Sequence, residues 1–148
     1  MPKLTLTKFE IAEHQLATAI ELFCGGNPLP AITLAGAAEE ILGKLVRDAG
    51  GVNALDVEVQ DRCDLFQTVF GRPGDPKAFA TLLNDGRNEL KHRMSGDPLD
   101  INLDEEAVNL IQRAIDNFQQ LRPGPNPLFR RFEDEAAAWY RRFSGEVA

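Results

Sequence analysis

The sequence predicts an all-α fold, an antiparallel bundle of four to five helices followed by a C-terminal helix. Two observations predict it. Apolar residues recur at spacings of three and four along most of the chain, which is the period of an amphipathic helix. Glycine and proline clusters at 25–30, 50–51, 71–76 and 123–127 separate the segments that carry this period. The only strand-like alternation, at 52–59, has nothing to pair with, so we interpret it as a loop leading into a helix.

The length and composition fit a single domain over residues 1–148. The chain is 43% hydrophobic and 26% charged, as in ordinary globular proteins, and 148 residues are enough to bury a sizeable core. Within the domain we assign 1–122 to the bundle core, 123–127 to a Pro/Gly linker and 128–144 to the C-terminal helix. The linker predicts that this last helix is attached to the bundle rather than continuous with it.

The first two helices have clear boundary signals. Thr7 and Glu10 form a capping box at the start of the first helix, and Gly25-Gly26 ends it. The second helix is predicted over 31–48, after two prolines and before Gly50-Gly51. It contains the adjacent acids Glu39 and Glu40, which project about 100° apart on a helix. We therefore do not expect these two carboxylates to form a paired catalytic site.

The third and fourth helices lie on either side of the break at 71–74. The third is predicted over 59–70, with Cys63, Phe66 and Phe70 buried. Asp75-Pro76 supplies an N-cap and a first-turn proline for the fourth. A glycine in mid-helix costs about 1 kcal/mol relative to alanine, so Gly86 predicts either a kink near Asp85 or a close helix contact.

A helical wheel divides the fourth helix into two faces. At about 100° per residue, one side is predicted to face the core and the other to carry polar chemistry. The core side has Phe79, Leu82, Leu83, Gly86, Leu90 and Met94, and the polar side has Asp85, Asn88, Lys91 and His92, with Arg87 on the row next to it.

The last two helices are predicted at 102–121 and 128–143. Asn102 and Glu105 cap the first of these, and Arg122-Pro123 ends it. The final helix has an aromatic stripe, which we expect to be a docked core or subunit-contact face rather than a platform for nucleobases. The stripe consists of Phe129, Phe132, Ala136, Trp139, Tyr140 and Phe143.

Charge and cysteine content narrow the functional classes. A net charge of −7 disfavours nucleic-acid binding through long-range repulsion, although basic residues cluster locally at 87–93 (Arg87, Lys91 and Arg93) and arginines at 130–142. Cys24 and Cys63 have no metal-binding spacing, so we predict neither a metal site nor a cofactor. The absence of an export signal or a long apolar run favours a cytoplasmic protein without a membrane segment.

Residues 87–92, RNELKH, place Arg87 five positions before His92, with Asn88 directly after the arginine. This motif resembles the Arg-x4-His form of the motif of the HEPN (higher eukaryotes and prokaryotes nucleotide-binding) family, which prefers a polar residue after the arginine. The small residues at 35–38 also look like a helix common in such bundles, and the likeness as a bundle covers residues 7–121.

The resemblance implies a homodimer that cleaves RNA without metal, with Arg87 and His92 as catalytic residues in a site shared by two chains. A histidine can act as a general base on a ribose 2′-hydroxyl or as a general acid to the leaving oxygen. An arginine can bind the phosphate oxygens as negative charge develops on them. Five positions separate the two residues by about 140° on a straight helix, which also favours a dimer.

Asn88 and Lys91 are the expected substrate-binding residues. A toxin or defence enzyme of this kind would have an antitoxin protein as a partner. The alternative is a non-catalytic helical homodimer that binds a nucleotide or a partner protein.

Overall fold

A computed structural model describes residues 1–92 and 96–145, and within these ranges it contains six α-helices and no strand. The all-α prediction is therefore confirmed. None of the described helices is long and apolar enough to cross a membrane. The helices are α1 (Lys8–Cys24), α2 (Pro28–Asp48), α3 (Ala54–Phe70), α4 (Pro76–His92), α5 (Leu103–Leu121) and α6 (Pro127–Ser144).

The core lies where α2 packs against α1 and α5. α6 contributes to the same core, because Phe132 packs on Phe23 of α1 with ring centroids 5.6 Å apart, and Phe129 packs edge-on against Phe118 of α5 at 4.9 Å. The Pro/Gly segment therefore connects α6 to the bundle without separating it from the core. The most completely buried aliphatic residues include Leu16, Ile20, Ile32, Leu42, Leu110 and Ile111.

The predicted helix starts agree with the structure where a side chain caps the first backbone N–H groups. Thr7 and Glu10 form the expected capping box on α1, and the Asn102 side chain accepts a hydrogen bond from the Glu105 backbone at the start of α5. α2 starts at Pro28, earlier than predicted. Both of its prolines lie in the first turn, where backbone N–H groups have no acceptor within the helix, so the prolines do not interrupt it.

The prediction for α3 is wrong at its N-terminus. The helix begins at Ala54, because the Asn53 side chain accepts from the backbone N–H of Asp56, and Asn117 of α5 accepts from that of Ala54 at 2.8 Å. The apparent alternation at 52–59 is therefore mostly helix. Phe70, predicted to be buried, is 60% exposed because it lies at the end of α3.

The assignment of faces on α4 is also wrong in part. Leu82, predicted to face the core, is 64% exposed, and no described residue of α4 is fully buried. Leu90 does pack against the core, whereas Met94 lies outside the described residues. α4 continues through Gly86, and a Cβ there would lie 2.5 Å from the Glu106 carboxyl carbon on α5. Gly86 thus leaves room for the Glu106 carboxyl group of α5.

Candidate functional site

The Arg87 side chain projects from α4 onto α2. A Cβ at Gly36 of α2 would lie 2.5 Å from Cδ of Arg87 and 2.8 Å from its Cγ, so only glycine leaves room for the arginine at this place. The Arg87 side chain is 16% exposed. The wheel placed this residue beside the polar face, but the small-residue segment of α2 accommodates its aliphatic part against the bundle.

Glu39 of α2 is the charged partner of Arg87. The Nη1 atom of Arg87 donates to Oε2 of Glu39 at 3.1 Å, and the Glu39 side chain is only 4% exposed. The neighbouring Glu40 is exposed, so the two acids do diverge as their sequence positions predicted. Sequence reasoning nevertheless missed Glu39 as a site residue. The available signal was a single acid within the apolar stripe of α2, between Ala35 and Leu42.

Arg113 of α5 is a second buried arginine beside Glu39, and the sequence analysis did not single it out. Its side chain is 2% exposed, and its Nε lies 3.7 Å from Oε1 of Glu39 without forming a hydrogen bond. Its Nη2 donates to the Asn84 side chain of α4 at 3.1 Å, and its Nη1 lies 3.7 Å from Oε2 of Glu58 on α3. This arginine therefore links four helices through charge and hydrogen bonding.

Burial and charge act in opposite directions on the acids of this cluster. Burial raises the pKa of the Glu39 carboxyl, while the positive charges of Arg113 and Arg87 oppose the increase. Burial also raises the pKa of Glu106, against the effect of Arg113. Because a buried charge is costly unless it is paired, each arginine stabilises the ionised form of Glu39 and depends on it in turn.

Two clefts border this charged cluster. One, of about 430 Å³, is lined by Glu39, Arg87 and Asn84 together with residues near the C-terminal half of α2. The other, of about 520 Å³, lies between α3, α4 and α5, and Arg113 and Glu106 are among the residues that line it. Arg87 is thus partly buried yet reachable from one cleft.

The other residues predicted for the site lie on the outer side of α4. Asn88, Lys91 and His92 are all exposed, and His92 is the last described residue of α4. The Asn88 side-chain oxygen is 3.5 Å from Nη2 of Arg87, at the long limit for a hydrogen bond. Lys91 lines a separate groove of about 410 Å³ on the surface of α2, opposite Lys8 of α1.

Within one chain, the predicted catalytic residues Arg87 and His92 do not face the same site. Arg87 packs inward on Gly36 and Glu39, whereas His92 is exposed one and a half turns later on another side of the helix. Arg87 and Asn88 are in contact, and Lys91 and His92 are adjacent in the chain. A site that uses both Arg87 and His92 on one substrate therefore needs a second chain or a change in α4.

Comparisons of the chain with protein-family models, curated proteins and solved structures give no match. Within residues 1–92 and 96–145, no group of three or more His, Cys, Asp or Glu side chains is arranged to hold a metal ion. The geometry around Arg87 and His92 is therefore the basis for the functional proposal.

Proposed function

We propose that this protein is a HEPN-like, metal-independent endoribonuclease that acts as a homodimer, with Arg87 and His92 as its catalytic residues. The observation that carries the proposal is the position of Arg87, whose guanidinium is held by Glu39 at the edge of a cleft and keeps 16% of its side chain exposed. An oriented arginine of this kind can bind a phosphate with little loss of side-chain entropy.

The chemistry follows from the residue types and their exposure. An arginine has five N–H donors, and the contacts with Glu39 and Asn88 use only one donor each on the two terminal nitrogens. The remaining donors can bind phosphate oxygens as negative charge develops on them. His92 is exposed and can remove the proton from a ribose 2′-hydroxyl or protonate the leaving oxygen. Asn88 and Lys91 can bind the RNA backbone beside them.

The dimer follows from the separation of Arg87 and His92 within one chain. A two-fold axis beside α4 would bring the motif helices of the two copies together, so that His92 of one copy and Arg87 of the other contribute to one composite site. A toxin or defence role, with an antitoxin protein as partner, belongs to the same proposal. In that role the acidic body would limit non-specific RNA binding and leave recognition to local basic residues.

The direct test is cleavage of single-stranded RNA in the presence of EDTA by the purified wild-type protein and by Arg87→Ala and His92→Ala variants. Both variants should lose at least about a hundredfold in rate, the usual size of an acid–base or charge-stabilising contribution. His14→Ala is the matched control, because His14 is the other histidine and is exposed on α1. Equal cutting by all proteins would indicate a contaminating nuclease and contradict the proposal.

A mixing experiment tests the shared site. Arg87→Ala and His92→Ala proteins, each inactive alone, should recover activity when they are mixed and allowed to exchange subunits, since a mixed dimer contains one intact Arg87/His92 site. A site formed within one chain would give no recovery. Circular dichroism of each variant checks that the helical content is unchanged.

The second candidate function is a non-catalytic homodimer that binds a nucleotide or a partner protein. The ion pair between Arg87 and Glu39 favours it, because an arginine already paired with a buried acid also serves as a structural element. This function predicts no cleavage by the wild-type protein. It also predicts a rise in melting temperature with added nucleotides that disappears in the Arg87→Ala variant.

A further inference from the structure

The aromatic stripe of α6 changes from buried to exposed along the helix. Its first half, Phe129, Phe132 and Ala136, is buried against α1 and α5. Its second half continues in the same direction along the helix, but Tyr140 is 51% exposed and Phe143 is 71% exposed. The expectation of a docked core is therefore confirmed for the first half, and a subunit-contact role for the exposed half stays a prediction.

The exposed half forms an ordered group of three rings, which we call the α6 aromatic platform (Trp139, Tyr140 and Phe143). Trp139 packs partly against the core and so anchors the group. Its ring is nearly parallel to that of Phe143, with centroids 5.5 Å apart and an interplanar angle of 19°, and it meets Tyr140 edge-on at 4.7 Å. The platform therefore has one buried edge and two rings open to solvent.

Two arginines flank the platform. At about 100° per residue, the three rings cover roughly 100° of the α6 surface, and Arg142 and Arg141 lie on opposite sides of them. Both arginines are exposed. The sequence has no acidic residue from 136 to 145, although the chain as a whole has a net charge of −7. The last turns of α6 therefore present two exposed arginines beside exposed rings, between the acidic residues 133–135 and Glu146 in the sequence.

We propose that the α6 aromatic platform, with Arg141 and Arg142, binds single-stranded RNA. Exposed rings stack on unpaired bases of any sequence, and flanking arginines bind the phosphates between them. An anionic ligand with planar apolar groups matches the two arginines and the exposed rings of this surface. The choice of RNA rests on the proposed ribonuclease function, for which this platform supplies a substrate-binding element away from Arg87 and His92.

The test is the affinity of the full-length protein for a fluorescein-labelled, fully 2′-O-methylated oligouridine, measured by anisotropy. This probe lacks the 2′-hydroxyl, so it measures binding whether or not the protein cleaves RNA. The Tyr140→Ala/Phe143→Ala and Arg141→Ala/Arg142→Ala double variants should each bind about tenfold or more weakly, as expected for lost stacking and lost phosphate contacts. The arginine variant should also have a shallower salt dependence, by about 0.7 per lost phosphate contact.

Two matched controls separate this site from general effects. Arg130→Ala/Arg131→Ala makes the same charge change on the same helix, but next to the acidic residues 133–135, and should bind normally. Phe70→Ala removes another largely exposed ring, at the end of α3, and should also bind normally.

Unchanged binding by the platform variants would overturn the inference, as would equal losses in the controls. A change in oligomeric mass without a change in RNA binding would also overturn it, because the platform would then be a subunit contact. The two proposals can fail separately. Binding through the platform without any RNA cleavage contradicts only the ribonuclease, whereas cleavage with normal binding by the platform variants contradicts only the platform.

Discussion

Glu39 and Arg87 form an ion pair across the contact between α2 and α4, with 3.1 Å between Oε2 and Nη1. The same carboxylate lies 3.7 Å from Nε of the buried Arg113 on α5. One acid thus balances two arginines from two other helices. The predicted catalytic residue Arg87 is therefore paired with the interior of the bundle. Substitutions in the interior are expected to change the position of its side chain.

Replacement of Arg113 by methionine should destabilise the protein strongly. The variant removes the charge of Arg113 beside the buried Glu39 and its hydrogen bond to Asn84. Because Arg87 still pairs with Glu39, the loss should reach at most the 3–5 kcal/mol, roughly, that an unpaired buried charge costs. The free energy of unfolding from urea titrations measures this loss. Arg47→Met is the matched control, because the pair between Arg47 and Asp56 is 57% and 39% exposed and should contribute under about 1 kcal/mol. Equal losses in the two variants would contradict the assignment of Arg113 as a buried link.

Gly36→Ala should destabilise the protein through Arg87. Alanine gains about 1 kcal/mol of helix propensity over glycine, but the new Cβ collides with the Arg87 side chain, and such overpacking costs about 1–3 kcal/mol. In an Arg87→Ala background the collision is absent, and the same substitution should stabilise the protein. A double-mutant cycle of urea unfolding measures this change of sign. Identical effects in both backgrounds would show that Arg87 does not pack on Gly36.

Glu106→Gln should flatten the pH dependence of stability. Burial raises the pKa of Glu106 in the folded protein, with Glu105 and Asp85 acting in the same direction and Arg113 against it. The folded state therefore holds a proton that the unfolded chain has released, so stability falls as pH rises from the ordinary value of 4.5 through the folded value.

The melting temperature of the Glu106→Gln variant should fall less than that of the wild-type protein over this pH range, because glutamine has no proton to release. Glu133→Gln, at an exposed position on α6, is the control and should leave the wild-type pH dependence intact. A pH profile of Glu106→Gln identical to that of the wild-type protein would rule out the raised pKa.

The sequence by itself determined the helical class, most helix ends and the motif. These features depend on local signals: the three-and-four spacing of apolar residues, the capping box at Thr7, and the N-cap at Asn102. The prediction misses the start of α3, although Asn53 is a local N-cap signal, because it interprets the alternation at 52–59 as a loop. The second contact at this start, from the Ala54 backbone to Asn117, joins residues distant in the sequence. No pattern local to residues 50–60 contains that contact.

The tertiary structure decided which charges are buried and which aromatic residues are exposed. The helical wheel gives the angle of a residue about its own axis, but the neighbouring helices decide whether that direction meets protein or solvent. Arg87 is half-buried because Gly36 makes room for it on α2, and Glu39 is buried beside it. Tyr140 and Phe143 are exposed although they continue the stripe in which Phe129 and Phe132 are buried. Those relationships join residues far apart in the chain, and only the packing of the helices brings them together.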